Sequence, residues 1–239
     1  MNQYESWRDE TIARLLAQSN YNFSDLCDIV TVLRGPGGCP WDIEQDHHSI
    51  RKGMIEECYE VVEAIDRDDP VLLREELGDV LLQIVFHADI EKDAGRFNVD
   101  DVANDECVKM IHRHPHVFGQ VKADTSEQVL ANWEVIKTQE KQRVSLADQL
   151  EAIPNILPAL MRAHKVGKKA SVDAEADTDA LIGKVKDQLD VLTAATATAQ
   201  QKAALGQALF TMTSLARSLE LDAEEALVAH TDRLVESAK

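Results

Sequence analysis

Apolar positions along the chain recur at the three- and four-residue spacing of helices, and runs of alternating β-branched residues are absent. Predicted helices lie near 5–19, 22–34, 50–67, 70–93, 99–113 and 126–143, then near 156–170, 179–195, 198–219 and 222–237. Their limits carry recognisable start and stop chemistry. Asp68 and Asp69 precede Pro70, and proline suits a first helical position because the N–H it lacks would have no partner there. The stretch Arg34-Gly35-Pro36-Gly37-Gly38-Cys39-Pro40-Trp41 cannot continue a helix and reads as a loop. Pro154 and Pro158 bracket a second break. The pattern predicts an all-α chain of two tandem four-helix-bundle-type domains. It divides into an N-terminal helical extension (1–20), a first domain (21–145), a linker (146–158) and a second domain (159–239).

A weak internal repeat crosses that linker. Glu76-Leu77-Gly78-Asp79-Val80-Leu81-Leu82 is matched by Ala204-Leu205-Gly206-Gln207-Ala208-Leu209-Phe210, which suggests duplication of one helical unit with loss of polar residues from the second copy. From Leu72 to Phe86 apolar residues fall on nearly every side, predicting a helix buried all round. In the second copy the row Leu205, Leu209, Met212, Leu215 and Leu219 keeps its period, so that unit is expected to fold and pack.

Composition narrows the function classes. Hydrophobic residues make up 44% and charged residues 28%, a globular balance. The formal net charge is -18, from 43 acidic against 25 basic residues. That field opposes nucleic-acid backbones and acidic membranes, so neither is an expected partner. No apolar run approaches the roughly 18–20 residues that span a bilayer. Met1-Asn2-Gln3-Tyr4-Glu5 lacks the basic-then-apolar layout of a secretory signal. Cys27, Cys39, Cys58 and Cys107 form no CxxC pair, which fits reduced thiols and a cytoplasmic location.

The strongest chemical signal lies in two neighbouring helices, Ile55–Ile65 and Glu75–Phe86. Glu57 and Glu60 are three apart, as are Glu76 and Asp79, so each pair projects from one helix face. A short turn around Asp68–Pro70 would fold the two helices together. Glu76, Asp79 and Gln83 share a narrow strip of the otherwise apolar second helix. Buried carboxylates need cations or hydrogen-bond donors. Hard oxygen ligands of this kind suit Mg²⁺, with Mn²⁺ as substitute. The alternative is ordinary ion pairing with Arg51, Arg67 or Arg74, or exposure to water.

Glu56-Glu57-Cys58-Tyr59-Glu60 followed by Glu76-Leu77-Gly78-Asp79 resembles the EExxE…ExxD signature of the MazG family of all-α nucleotide pyrophosphohydrolases. Gly38-Cys39-Pro40-Trp41-Asp42 with Gln45, Arg113-His114-Pro115-His116-Val117-Phe118, Trp133-Glu134-x-x-Lys137 and Leu157–Ala163 are similar to further family segments. The resemblance is close over about 25–165 and loose beyond. It implies a Mg²⁺-dependent hydrolase converting a nucleoside triphosphate to the monophosphate and pyrophosphate. Glu57, Glu60, Glu76 and Asp79 would hold the metal, and Glu56 would support them.

It also implies that Lys109 and Arg113 face the phosphates, a solvated helix face being the alternative. Trp41 would stack on the base or else plug the core. Cys107-Val108 and His112 depart from the family pattern beside those basic residues. His112, His114 and His116 fit structural or substrate-edge roles better than a zinc site, since Pro115 and the helical context keep three ligands from converging. In the second copy the ligand positions become Gln188, Val191, Ala204 and Gln207, so no catalytic metal is expected there, and a scaffold or dimerisation role follows. A homodimer is expected, because single units of this kind have a limited core. The competing functions are a weakly active or non-catalytic nucleotide-binding scaffold, and a narrow pyrophosphatase for dUTP or a modified nucleotide.

Overall fold

The computed structural model describes residues 3–140 and 145–238, which are helical with connecting turns. In chain order the helices are α1 (Gln3–Ala17), α2 (Phe23–Arg34), α3 (Pro40–Ile43), α4 (His47–Asp66), α5 (Pro70–Asp93), α6 (Val99–Arg113), α7 (Pro115–Phe118), α8 (Ser126–Glu140), α9 (Leu146–Glu151), α10 (Ala159–Lys169), α11 (Thr178–Ala194), α12 (Thr198–Ser218) and α13 (Ala223–Ser237). The expected extension of α8 to 143 lies outside the described residues. Three short helices were not predicted: α3 and α7, each opened by proline, and α9 inside the expected linker. Runs this short carry too few apolar repeats to give a period.

Side-chain caps set the helix starts. Asn22, Asp46, Asn98 and Ser145 form reciprocal capping boxes, and Asp69 accepts hydrogen bonds from the Val71 and Leu72 amides beside Pro70. Each such cap is worth about 0.5–2 kcal/mol. The chain forms two compact units, Met1–Leu130 and Ala131–Lys239, so the division by contact falls within α8.

In the first unit α4 and α5 pack as a helical hairpin, with α2 laid across α5. Val30, Ile50, Val85 and Phe86 form the core, flanked by Leu26, Leu82, Ile90 and Val99. The glycine loop after α2 folds tightly on itself: the Gly38 amide donates to the Gly35 carbonyl at 2.9 Å, and the Cys39 amide to Leu33 at 2.8 Å. A Cβ on Gly38 would stand 2.2 Å from the Leu33 carbonyl oxygen and 2.4 Å from that of Val32. Both obstacles are backbone and cannot rotate away. Gly38→Ala is therefore expected to destabilise the first unit by about 1–3 kcal/mol, the range of an overpacked site, read as a lower urea midpoint.

Two burial expectations are corrected. Helix α5 is not buried all round, since Leu77 is 51% and Leu81 37% exposed; its buried length runs from Val85 to Glu91. Likewise Leu205, Leu209 and Met212 of α12, and Leu219 just after it, lie at the surface, while Ala204, Ala208, Thr211, Thr213 and Ser214 face inward. The physical reason is the same in both helices. Each carries apolar residues on more than one face, and the helices packed against it within its unit leave part of them uncovered. Periodicity shows that a face is apolar without saying which partner covers it.

Candidate active site

Helices α4 and α5 meet in an antiparallel ladder of polar residues. His47 lies against His87, Gly53 against Gln83, Glu57 near Asp79, and Glu60 beside Glu76. A Cβ on Gly53 would come within 2.9 Å of the Gln83 amide nitrogen, so the glycine makes room for that side chain.

At the end of the ladder nearest the hairpin turn, carboxylate oxygens of Glu57, Glu76 and Asp79 all lie within 4.8 Å of one another. Glu76 is buried, Glu57 and Asp79 are half-buried and Glu60 is exposed. Burial pushes the Glu57 carboxyl above its ordinary range, reinforced by Glu60, Asp79 and Glu76. Burial raises Glu76 as well, helped by Glu60, Glu75 and Asp79. Among the described residues no cation pairs with Glu57, Glu60, Glu76 or Asp79; Arg67 pairs with Glu63 instead.

The donor set fits a hard divalent cation. Oxygens at about 2.1 Å from Mg²⁺ stand roughly 3–4.2 Å apart in octahedral geometry. Oxygens already within 4.8 Å need only small side-chain rotations to close around one ion. The same group without counter-charge is electrostatically unfavourable, which is the condition a bound cation relieves.

The remaining residues singled out from the sequence lie on other elements or faces. Glu56 is exposed on α4. Trp41 is 65% exposed on α3, so it does not plug the core; its carbonyl accepts from Gln45 Nε2 at 2.7 Å. Lys109 pairs with Glu106 along α6, and Arg113 at the end of α6 is buried rather than on a solvated face. The His114 ring bonds the Met110 carbonyl at 2.6 Å and lies tilted against His116.

A second polar network at the opposite end of the ladder was missed in the sequence. His47 and His87 stack at 5.0 Å with their Nδ1 atoms 2.7 Å apart, and His47 Nε2 meets the Glu91 carboxylate, which Arg96 also grips. The signal was present: Asp79, Gln83, His87 and Glu91 follow one another at four-residue steps on a largely apolar helix. Arg96, then His47, holds the Glu91 carboxyl down to about 2 from an ordinary 4.5. A depressed carboxylate contributes stability that is present above its unfolded pKa and lost as pH falls through the folded one. Stability should thus fall between pH 4.5 and about 2, and Glu91→Gln should flatten that part of the urea-midpoint profile.

The model of the MazG nucleotide pyrophosphohydrolase domain matches residues 45–118, which include both carboxylate pairs. The nucleoside triphosphate pyrophosphohydrolase/pyrophosphatase MazG of Thermotoga maritima is 39% identical over 220 residues, covering 91% of this chain and 84% of the relative. The nucleoside triphosphate pyrophosphohydrolase of Escherichia coli K12 is 41% identical over 210 residues, 84% of this chain and 80% of that protein. YabN of Bacillus subtilis is 51% identical over 148 residues, and there the match spans 62% of this chain but only 30% of the larger relative. On its likeness to the Thermotoga and Escherichia proteins across most of both lengths, and on the domain match at its paired carboxylates, this chain belongs to the MazG family of nucleotide pyrophosphohydrolases.

Proposed function

We propose that the chain hydrolyses nucleoside triphosphates to the monophosphate and pyrophosphate, with Mg²⁺, or Mn²⁺ in its place, held by Glu57, Glu60, Glu76 and Asp79 in the domain over 21–145. The observation that carries this reading is the convergence of Glu57, Glu76 and Asp79 without a counter-charge among the described residues. The names of the Thermotoga and Escherichia relatives support the reaction class. Bound metal would neutralise the triphosphate and lower the pKa of an attacking water.

The chain's own groups do the rest. Glu57, Glu60, Glu76 and Asp79 fix where the phosphates sit, and Glu56 supports their helix face. Lys109 and Arg113 offset phosphate charge, and Arg113, already buried, would act with little loss of side-chain freedom. Trp41, exposed on α3, offers a ring face to the base. The second hairpin carries Gln188, Val191, Ala204 and Gln207 at the corresponding positions and acts as scaffold.

The working form in this reading is a cytoplasmic homodimer. On α4, Ile55, Tyr59 and Val62 are exposed at i, i+4 and i+7, and Leu77 and Leu81 are exposed on α5. Leu205, Leu209 and Met212 repeat that exposure on α12. A second copy is the partner that meets the same surface twice. Four cysteines free of disulfides accord with a reducing compartment.

The test is pyrophosphate release from a panel of ribo- and deoxyribonucleoside triphosphates, with Mg²⁺ and then with excess EDTA. Release that stops in EDTA and returns with added Mg²⁺ is expected. An absence of release from every nucleotide, with metal-dependent binding intact, would favour the scaffold reading.

A further inference from the structure

Helix α10 stands out in an acidic chain. Arg162, Lys165, Lys168 and Lys169 lie within Ala159–Lys169, which contains no acidic residue, whereas the whole protein carries a formal charge of -18. Three of these lysines open onto one cavity of about 580 Å³, to which α8 adds Lys137. The cavity lies wholly within the unit Ala131–Lys239 and on different residues from the carboxylate ladder.

Charge around the cavity is unbalanced. Glu134 is the carboxylate among its lining residues, and it is already engaged, 3.2 Å from Lys169 Nζ and 3.6 Å from Lys137 Nζ. Burial pushes the Glu134 carboxyl up, but the two lysines outweigh it and hold it below its ordinary range, so it stays ionised and occupied. Lys165 and Lys168 have no ion pair among the described residues and open onto the same space. Four ammonium groups facing one carboxylate repel one another, and an anion between them would relieve that repulsion.

The other walls fit more than a bare ion. Thr138 and Gln149 supply hydrogen-bonding groups, while Ile153 and Pro154 form an apolar side. A cavity of this size is in the range that takes a small organic ligand. We infer that the C-terminal unit holds a metal-independent site for a phosphate-bearing polyanion of nucleotide size, its phosphates held by Lys165 and Lys168 with Lys137 and Lys169. Metal is dispensable there because lysines supply the positive charge that carboxylates cannot. The site would let the second unit sense nucleotide or pyrophosphate without performing chemistry. This inference does not depend on the hydrolytic reading.

The experiment is calorimetric titration of the full chain with ATP and, separately, with inorganic pyrophosphate, both in excess EDTA. One-site binding that weakens with added salt is expected for both probes. Lys165→Glu with Lys168→Glu should weaken it at least about tenfold, in keeping with lost charge-assisted contacts. Lys165→Gln with Lys168→Gln, which adds no acid and suits exposed positions, should also weaken it while helical circular dichroism is kept. Glu76→Gln should leave it unchanged. No binding of either probe up to about 1 mM, or binding that survives both lysine pairs, would overturn the inference. Failure of turnover with EDTA-resistant binding intact would count against the hydrolytic reading alone.

Discussion

Asp79→Asn is expected to reduce pyrophosphate release by about 10³-fold and at the same time to stabilise the metal-free chain. The two effects have opposite signs because one group serves two states. With a divalent cation bound as proposed, Asp79 would supply a charged oxygen from the half-buried flank of α5. Leaving a charged group short of its partner in such a place costs about 3–5 kcal/mol, which corresponds to about 10²–10⁴ in rate. Without the cation, Asp79 lies within 4.8 Å of Glu57 and Glu76, and among the described residues no basic one pairs with the group. Removing one negative charge then lessens repulsion inside a partly desolvated cluster.

Steady-state turnover at saturating Mg²⁺ measures the first effect, and urea unfolding in EDTA the second. Glu76→Gln should behave in the same way, since Glu76 is the most buried of the three. A variant that lost stability in EDTA while keeping full turnover would show that the carboxylates are structural. This pattern is the one expected where a functional site is held at the expense of stability.

Asp89→Ala is expected to destabilise the first unit by about 3–5 kcal/mol, a fall in Tm of roughly 10–20 °C for a unit of this size. Asp89 accepts from Thr31 Oγ1 at 2.7 Å and from Arg34 Nε at 3.0 Å, and the Arg34 and Asp89 side chains are each only 7% exposed. Arg34 also lies over the Phe86 ring at 4.9 Å and donates to the Asp42 carbonyl at 3.3 Å. Deleting Asp89 leaves a buried guanidinium whose remaining carboxylate partner, Asp93, is 63% exposed and therefore well screened.

The consequence reaches the candidate site through the α3 segment, because Arg34 ties that segment to α2 and α5. KM for nucleotide should rise along with the loss of stability, Trp41 being carried on α3. Arg34→Met combined with Asp89→Leu should recover much of the stability, since an apolar pair of similar volume replaces a buried ion pair at little cost. It should not recover KM, because replacing Arg34 removes its bond to the Asp42 carbonyl as well. Equal recovery of both would show that α3 is held by packing alone.

Much of this protein was determined by local sequence chemistry. Helix limits follow from groups that act within one turn: Asp69 with Pro70, Asn22, Asp46 and Asn98 each satisfy amides that the helix itself cannot. The i, i+3 spacing of Glu57 with Glu60 and of Glu76 with Asp79 likewise put each pair on one face before any packing was known. What the chain alone left open was every matter of which face meets which neighbour. Leu77, Leu81, Leu205 and Leu209 looked like core and lie exposed, because burial depends on a partner surface as well as on a residue's own character.

Arg34 and Asp89 are far apart in the chain, and nothing in either neighbourhood announces the other. The alignment of His47 with His87 depends on the register of the α4–α5 hairpin, which a single turn and a whole interface set together. The lysine-lined cavity shows the same division. The basic composition of α10 is legible in the sequence, but only the tertiary fold brings Lys137 of α8 to the same space as Lys165 and Lys168, with Glu134 the one carboxylate among the described lining residues. Sequence sets charge, spacing and helix ends because those act over one or two turns; pairing across the fold is set by packing that sums over many distant residues at once.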